Sequence, residues 1–192
     1  RTDKWFQPRG KQVSEPGGIW YTAVTGIWQT VWMESVPSSH VNSYFAVADI
    51  EGGVLDVTLD ADLCEGDVCE VVLLDDGKPV SKAQGREVSL PVPDVKLWSP
   101  DSPYLYGLKI SVLRDGETVD QVEGYAAMRT ISFAEDEDGH KRMLLNGEPL
   151  FQYGPLDQGW WPDGLYTAPS DEALAFDIEK TKEMGFNLIR KH

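Results

Sequence analysis

The chain has 192 residues with 17 basic and 32 acidic side chains, so its formal net charge is −15. This charge argues against binding to nucleic acid or to anionic membranes, both of which need a basic surface. Hydrophobic residues make up 41% of the chain and charged residues 26%, as in ordinary globular domains, and no apolar run is long enough for a transmembrane helix.

The first 37 residues predict strands that do not complete a core of their own. Trp20, Trp28 and Trp32 lie among aliphatic residues on either side of Gly26. The chain starts with Arg1 rather than Met, and no basic-then-apolar leader is visible, so we expect an excised or processed piece. The Val36-Pro37 pair is a natural junction, and we place the first domain at residues 1–37.

The middle of the chain predicts an antiparallel β-sandwich. Apolar and polar residues alternate strictly over residues 55–63, and the alternation recurs over residues 104–112. A period of two is typical of strands that bury one face. Asp76-Gly77 and Asp115-Gly116 separate such runs and predict tight turns. Strands at this spacing over about 90 residues fit an immunoglobulin-like sandwich.

Two cysteines, Cys64 and Cys69, lie five positions apart within this predicted sandwich. Two sulfurs are too few for a structural zinc site, and no histidine lies near them in the sequence. In an oxidising compartment they could form a disulfide that closes a short loop. The alternative is a pair of ordinary thiols, and the sequence leaves both open.

The last sixty residues predict a different architecture. Residues 150–153 and 186–190 predict two short strands. Between them, Ser170 predicts the N-cap of a helix, and Gly185 suits its C-terminal end. Strand, loop, helix and strand form the first βαβ unit of a parallel sheet, which needs further strands to be stable.

Four motifs, in this order, resemble the family 2 glycoside hydrolases, which include β-galactosidases and β-glucuronidases. They are residues 26–32 (GIWQTVW), 97–106 (LWSPDSPYLY), 128–131 (MRTI) with 145–151 (LNGEPLF), and 186–190 (FNLIR). The resemblance implies a mainly β chain. Residues 1–37 would be the closing strands of a sugar-binding jelly roll, residues 38–131 an immunoglobulin-like sandwich, and residues 132–192 the first βαβ unit of a (β/α)8 barrel.

The resemblance also implies a parent enzyme that hydrolyses terminal β-linked sugars with retention. The expected partners are a carbohydrate substrate and the rest of the same polypeptide, with no cofactor and no metal, and family analogy favours a periplasmic or secreted location. Two glutamates carry this chemistry, and the family's acid/base glutamate follows an asparagine. Asn42, Asn146 and Asn187 are each followed by another residue type. We therefore expect no catalytic residue in this chain and no hydrolysis by it alone.

The resemblance also suggests six substrate-binding candidates in the parent enzyme. Barrel enzymes build their sites at the C-terminal ends of the strands, and Arg190 matches an arginine of the family's second barrel strand. Trp160 and Trp161 could stack on a sugar, or they could pack the loop against the barrel or a neighbouring domain. The candidates are Asp157, Gln158, Trp160, Trp161, Arg190 and His192.

Two other functional classes stay open. One is a non-catalytic β-sandwich module that contacts carbohydrate or protein, and the other is a scaffold for a protein partner. Trp98 and the residues 104–106 are expected to pack an interdomain corner rather than bind a ligand. An Asn-Glu pair further along the reading frame would favour the enzyme.

Overall fold

A computed structural model describes residues 10–192, which divide into two compact units. One unit is Glu34–Phe151, and the other combines residues 10–33 with Gln152–His192. The mainly β class predicted from the sequence is confirmed, with a single α-helix in the described part. The first unit extends beyond the predicted sandwich domain, because a small sheet at residues 131–149 groups with it.

The second unit begins with two strands of two residues each. β1 (Gln12–Val13) and β2 (Tyr21–Thr22) pair in parallel. Residues 26–32 have a strand-like sequence, but they form no strand in the structure. The reason is that a strand needs a neighbour for its backbone groups, and no segment of residues 10–192 pairs with this one.

Seven antiparallel strands form the sandwich in the unit Glu34–Phe151. One sheet has the order β3-β4-β7 and the other the order β6-β5-β8-β9, which agrees with the predicted sandwich. The strands are β3 (His40–Asp49), β4 (Val54–Asp62), β5 (Val68–Asp75), β6 (Lys78–Gln84), β7 (Glu87–Pro91), β8 (Tyr106–Arg114) and β9 (Glu117–Ala126).

The core of the sandwich follows the predicted alternation. Every second residue of β4 is buried from Leu55 to Ala61, and the aspartates and threonine between them are exposed. β5 and β8 pair in antiparallel register and bury Val71 opposite Ile110. Because the side chains of a strand alternate between its two faces, these strands fill the space between the sheets with their apolar set.

The predicted tight turns are present. Asp76 and Gly77 join β5 to β6, and Asp115 and Gly116 join β8 to β9. All four residues have positive φ, from 50° to 86°. This is the backbone of a two-residue type I′ turn, which an aspartate tolerates and a glycine favours.

An ion pair between the buried Asp67 carboxylate and the half-exposed Arg114 connects the segments before β3 and β5 with the end of β8. The Asp67 carboxylate accepts hydrogen bonds from the guanidinium of Arg114 at 2.7 and 2.8 Å, and a further one from the hydroxyl of Ser39. The Arg114 and Ser39 hydrogen bonds lower the pKa of Asp67 to about 2. The neighbouring Cys64 is exposed and Cys69 is buried, and both are free thiols.

A three-stranded antiparallel sheet follows the sandwich and differs from the sequence prediction. It consists of β10 (Ile131–Glu135), β11 (Lys141–Leu145) and β12 (Glu148–Pro149). The strand predicted at residues 150–153 is not formed there. Asn146 and Gly147, both with positive φ, form the turn of a hairpin between β11 and β12. The pairing strand therefore lies at Glu148–Pro149, before the predicted residues.

A βαβ arrangement is present in the C-terminal segment, but its strands lie later in the sequence than the predicted residues 150–153 and 186–190, of which only Arg190 is in a strand. β13 (Leu156–Asp157) and β14 (Arg190–Lys191) pair in parallel, and α1 (Asp171–Glu183) lies between them in the chain. Ser170 caps α1 by accepting from the Ala173 amide at 3.2 Å, as predicted. No helix in residues 10–192 combines the length and apolar character needed to cross a membrane.

Candidate substrate site

Asp157 lies at the C-terminal end of β13, directly beside the neighbouring parallel strand. Its carboxylate pairs with Lys191 Nζ at 2.7 Å and accepts from the Gly159 amide at 2.7 Å. The Lys191 hydrogen bond, followed by that of Gly159, lowers the pKa of Asp157. The carboxylate is therefore ionised at neutral pH and has a fixed orientation at the strand end, where parallel α/β folds bind ligands.

Gln158 and Trp160 are held by a tyrosine from a distant part of the sequence. The hydroxyl of Tyr21 donates to Gln158 Oε1. The ring of Tyr21 also stacks on Trp160, with centroids 4.7 Å apart and planes 21° apart. One side chain from β2 thus fixes two of the predicted site residues.

Tyr166 extends this contact into an aromatic cluster, which we define as Tyr21, Trp28, Trp160 and Tyr166. Tyr166 meets Trp160 edge-on at 5.2 Å and Trp28 at 5.7 Å. Gln12, only 8% exposed, donates its side-chain amide to the Tyr166 hydroxyl. Of the two alternatives for Trp160, stacking on a sugar or packing the loop, these contacts fit packing. Tyr21 covers one face of its ring and Tyr166 meets the ring edge-on.

The other three predicted residues lie differently. Trp161 is half-buried, and its backbone forms a bridge with Leu165 that closes the tip of the loop. Arg190 is exposed in β14, and because strand side chains alternate, it points to the opposite face from Lys191. His192 is exposed, and its amide donates to the Asp157 carbonyl at 2.8 Å.

Sequence reasoning did not identify Tyr21, Tyr166 or Lys191. Tyr21 and Gln158 are 137 residues apart, and no local pattern connects them. Lys191 could have been found, because it lies at the end of the strand beside Asp157 and carries the opposite charge.

In the sandwich unit, two of the four motifs meet, residues 97–106 and residues 128–131 with 145–151. The Arg129 guanidinium lies 4.3 Å from the centre of the Trp98 ring. Asn146 donates to the Trp98 carbonyl at 3.0 Å and accepts from the Thr130 amide at 3.0 Å. These residues of the two motifs thus form one packed cluster.

One group of possible metal ligands occurs in the described residues. Asp136, Asp138 and His140 have ligand atoms within 4.8 Å of one another. The Asp136 carboxylate already accepts from the amides of Asp138 and His140 and pairs with Arg142 at 2.7 Å. These bonds explain the group as the turn between β10 and β11.

Comparison with known proteins gives a consistent family. The sequence model described as "Glycosyl hydrolases family 2" matches residues 38–129, which are the sandwich. A β-galactosidase of Thermoanaerobacter pseudethanolicus is 25% identical over 99% of this chain and 26% of its own length. The β-galactosidase BoGH2A of Bacteroides ovatus is 28% identical over 97% of this chain and 24% of its own.

Solved structures show the same fold. The β-glucuronidase from Ruminococcus gnavus, in complex with a C6-substituted uronic isofagomine, superposes with a TM-score of 0.72 at 23% identity. The match covers 81% of this chain and 26% of that enzyme. The chain therefore spans about a quarter of the length of the relatives it matches.

Proposed function

Because this chain belongs to the family 2 glycosyl hydrolases, we propose that the protein it comes from hydrolyses terminal β-linked sugars with retention of configuration. The observation that carries this proposal is the alignment with β-galactosidases over nearly the whole chain, on both sides of the family-model match. Putative β-glucuronidases of Formosa agariphila align as well, at 25% and 29% identity. The substrate class is therefore a β-galactoside or a β-glucuronide.

In this proposal the two units are parts of three domains. Residues 1–37 close a jelly roll, residues 38–131 form the immunoglobulin-like domain, and residues 132–192 begin a (β/α)8 barrel. The parallel pair of β13 and β14 with α1 between them supports the barrel, because that unit is its repeat. α1 also supports it, since the exposed Leu174, Phe176 and Ile178 would need further chain to cover them.

Retaining hydrolysis needs two carboxyl groups about 5–5.5 Å apart, one to protonate the leaving oxygen and one to attack the anomeric carbon. We place both outside this chain, because Asn42, Asn146 and Asn187 precede no glutamate. The ionised Asp157 cannot supply the proton at neutral pH, since its pKa is lowered by Lys191. Its proposed role is to accept a hydrogen bond from a sugar hydroxyl.

The remaining candidates take supporting roles in the proposal. Gln158 has its side-chain oxygen occupied by Tyr21, so its amide nitrogen is the group that would donate to a sugar oxygen. Trp161 would contact the sugar ring. Arg190 and His192 would act from the second barrel strand, where a guanidinium orients a carboxylate or a sugar oxygen.

The test is to compare the complete protein with the chain of 192 residues. Both are incubated with p-nitrophenyl β-D-galactopyranoside and p-nitrophenyl β-D-glucuronide, and released nitrophenol is measured. We expect turnover of one substrate by the complete protein and none by the chain alone. No turnover of either substrate by the complete protein would contradict the proposed activity. Turnover by the chain would contradict the placement of the glutamates.

A non-catalytic binding module is the second candidate, and one feature of the sandwich favours it. An open groove of about 680 Å³ lies along β3 and the end of β9, with Phe45, Trp98 and Tyr125 among its lining. Aromatic side chains in a groove are suited to carbohydrate or protein contact. A reading frame that stops before an Asn-Glu pair would favour this module over the enzyme.

A further inference from the structure

The N-terminal segment holds the loop that follows β13 at several points. Near the start of the segment, Gln12 donates its side-chain amide to the Tyr166 hydroxyl. Near its end, the Trp28 carbonyl accepts a hydrogen bond from the Thr167 hydroxyl at 3.3 Å. Tyr21 lies between these two contacts in the sequence, and it reaches the first residues of the loop. The loop beside the candidate site is therefore held by contacts with a distant part of the chain.

Tyr21 is itself anchored by the pairing of β1 with β2. It is the register partner of Gln12 in this parallel pair, and its amide donates to the Lys11 carbonyl at 2.8 Å. Gln12 is buried, so the backbone of Tyr21 is paired beside a buried residue. The position of the Tyr21 ring thus follows from backbone pairing inside the unit.

The ring and the hydroxyl of Tyr21 make different contacts. The ring stacks on Trp160, and this contact packs the loop. The hydroxyl donates to Oε1 of Gln158, which is a side-chain atom and not part of the loop backbone. Packing of the loop needs the ring alone, whereas the hydroxyl fixes the direction of one side chain.

Gln158 directly follows Asp157, whose carboxylate is already fixed by Lys191 and by the Gly159 amide, both at 2.7 Å. A glutamine side chain that rotates freely loses this freedom when it binds a ligand, and the loss weakens binding. Because Tyr21 holds Oε1, part of the freedom of Gln158 is removed before a ligand arrives, and its amide nitrogen is the end that can donate. The two consecutive residues are then a fixed acceptor and a fixed donor.

We propose that Tyr21 is a positioning residue of the substrate site, which acts by orienting the amide of Gln158 beside Asp157. Tyr21 makes no contact with the sugar in this proposal, and its effect passes through Gln158. Its role in turnover rests on the proposed function, whereas the contact between the two side chains depends on this chain alone. Gln158 would bind the sugar in the ground state as well as in the transition state. Loss of its orientation should therefore raise KM and leave kcat unchanged.

The test measures KM and kcat of the complete protein with the p-nitrophenyl β-glycoside that it turns over. Tyr21→Phe removes the hydroxyl and keeps the ring on Trp160. We expect KM to rise about fivefold, the factor that corresponds to one hydrogen bond, with kcat unchanged. Tyr166→Phe is the matched control, because it removes a hydroxyl of the same aromatic cluster whose partner is Gln12. Its KM should equal that of the parent protein.

A second background separates the orientation of Gln158 from a structural effect of the hydroxyl. Gln158→Ala removes the amide that Tyr21 orients, so Tyr21→Phe should cause no further rise in KM in that background. The same rise in the presence of Gln158→Ala would overturn the proposal. So would an unchanged KM in Tyr21→Phe, or an equal rise in Tyr166→Phe.

The contact is also measured without any activity, by NMR of the chain of 192 residues labelled at its glutamines. The side-chain amide signals of Gln158 should shift in Tyr21→Phe and stay in place in Tyr166→Phe. Unchanged Gln158 signals in Tyr21→Phe would overturn the contact and the proposal with it. The shift together with no hydrolysis by the complete protein would refute the proposed function, and the role in turnover with it, but leave the contact standing. Hydrolysis together with an unchanged KM in Tyr21→Phe would refute the positioning role and leave the proposed function standing.

Discussion

Tyr44 joins the two sheets of the sandwich along one edge, and Gly124 makes room for it. The Tyr44 hydroxyl donates to the Tyr125 carbonyl and accepts from the Tyr125 amide, both at 3.0 Å. A Cβ at Gly124 would lie 2.7 Å from two ring carbons of Tyr44 and closer still to the hydroxyl. Gly124→Ala must therefore displace Tyr44 and break both hydrogen bonds.

The magnitude follows from these contacts. Each of the two hydrogen bonds contributes about 1 kcal/mol net. Alanine in a strand is favoured over glycine by roughly 0.5–1 kcal/mol, which offsets part of that loss. We expect Gly124→Ala to lower the free energy of unfolding by about 1–1.5 kcal/mol. The sandwich, from His40 to Ala126, is a domain of the size in which each kcal/mol lowers Tm by roughly 4–8 °C.

The assay is thermal unfolding followed by far-UV circular dichroism, in the parent chain and in Tyr44→Ala. Without the tyrosine ring the clash disappears, so the sign should reverse. Gly124→Ala should then stabilise the Tyr44→Ala chain by roughly 0.5–1 kcal/mol. A neutral or stabilising effect of Gly124→Ala in the parent chain would refute the reasoning, and so would the same loss in both backgrounds.

Three further predictions concern other parts of the chain. Gly154→Ala would place a Cβ 2.5 Å from the Leu188 carbonyl carbon, which should push apart the two segments that lead into β13 and β14. We therefore expect faster hydrogen exchange at the Arg190 amide, which donates to the Pro155 carbonyl, and unchanged exchange would count against the pairing of these strands. The pKa of Asp67 is lowered from 3.8 to about 2, so its contribution to stability is complete above pH 3.8 and is lost as the pH falls through 2. Asp67→Asn should flatten that part of the stability profile in urea titrations, and an unchanged slope would contradict the ion pair. Cys64 is exposed, with a pKa lowered mainly by the Ser39 hydroxyl, and Cys69 is in the core. Ellman's reagent should therefore label one thiol in the folded chain and two after denaturation. Labelling of both thiols in the folded chain would contradict the burial of Cys69.

The elements that sequence reasoning predicted are those with a strong local signal. The alternation from Leu55 to Ala61 predicted β4, since each apolar residue there is buried. The aspartate-glycine pairs predicted the hairpins because a two-residue turn needs positive φ at both positions, which few other residue pairs adopt. Ser170 predicted the start of α1, because its hydroxyl meets an otherwise unpaired amide.

The parts that were missed depend on contacts between distant residues. β3 carries the exposed Phe45 and Val47 on its outward face, so its alternation is weak and it was not predicted. The position of Trp160 was left between two alternatives, and the stacking partner that engages it is 139 positions away in the sequence. Such pairings are determined by how the whole unit packs, which no window of the sequence contains.

The central claim is that this chain is part of a retaining β-glycosidase, and the stereochemistry of the reaction tests it most directly. The complete protein would be mixed with the p-nitrophenyl β-glycoside it turns over, and the anomeric proton of the released sugar followed by NMR. The account predicts that the β-anomer forms first and the α-anomer appears later by mutarotation. An α-anomer formed first, or no released sugar at all, would contradict it.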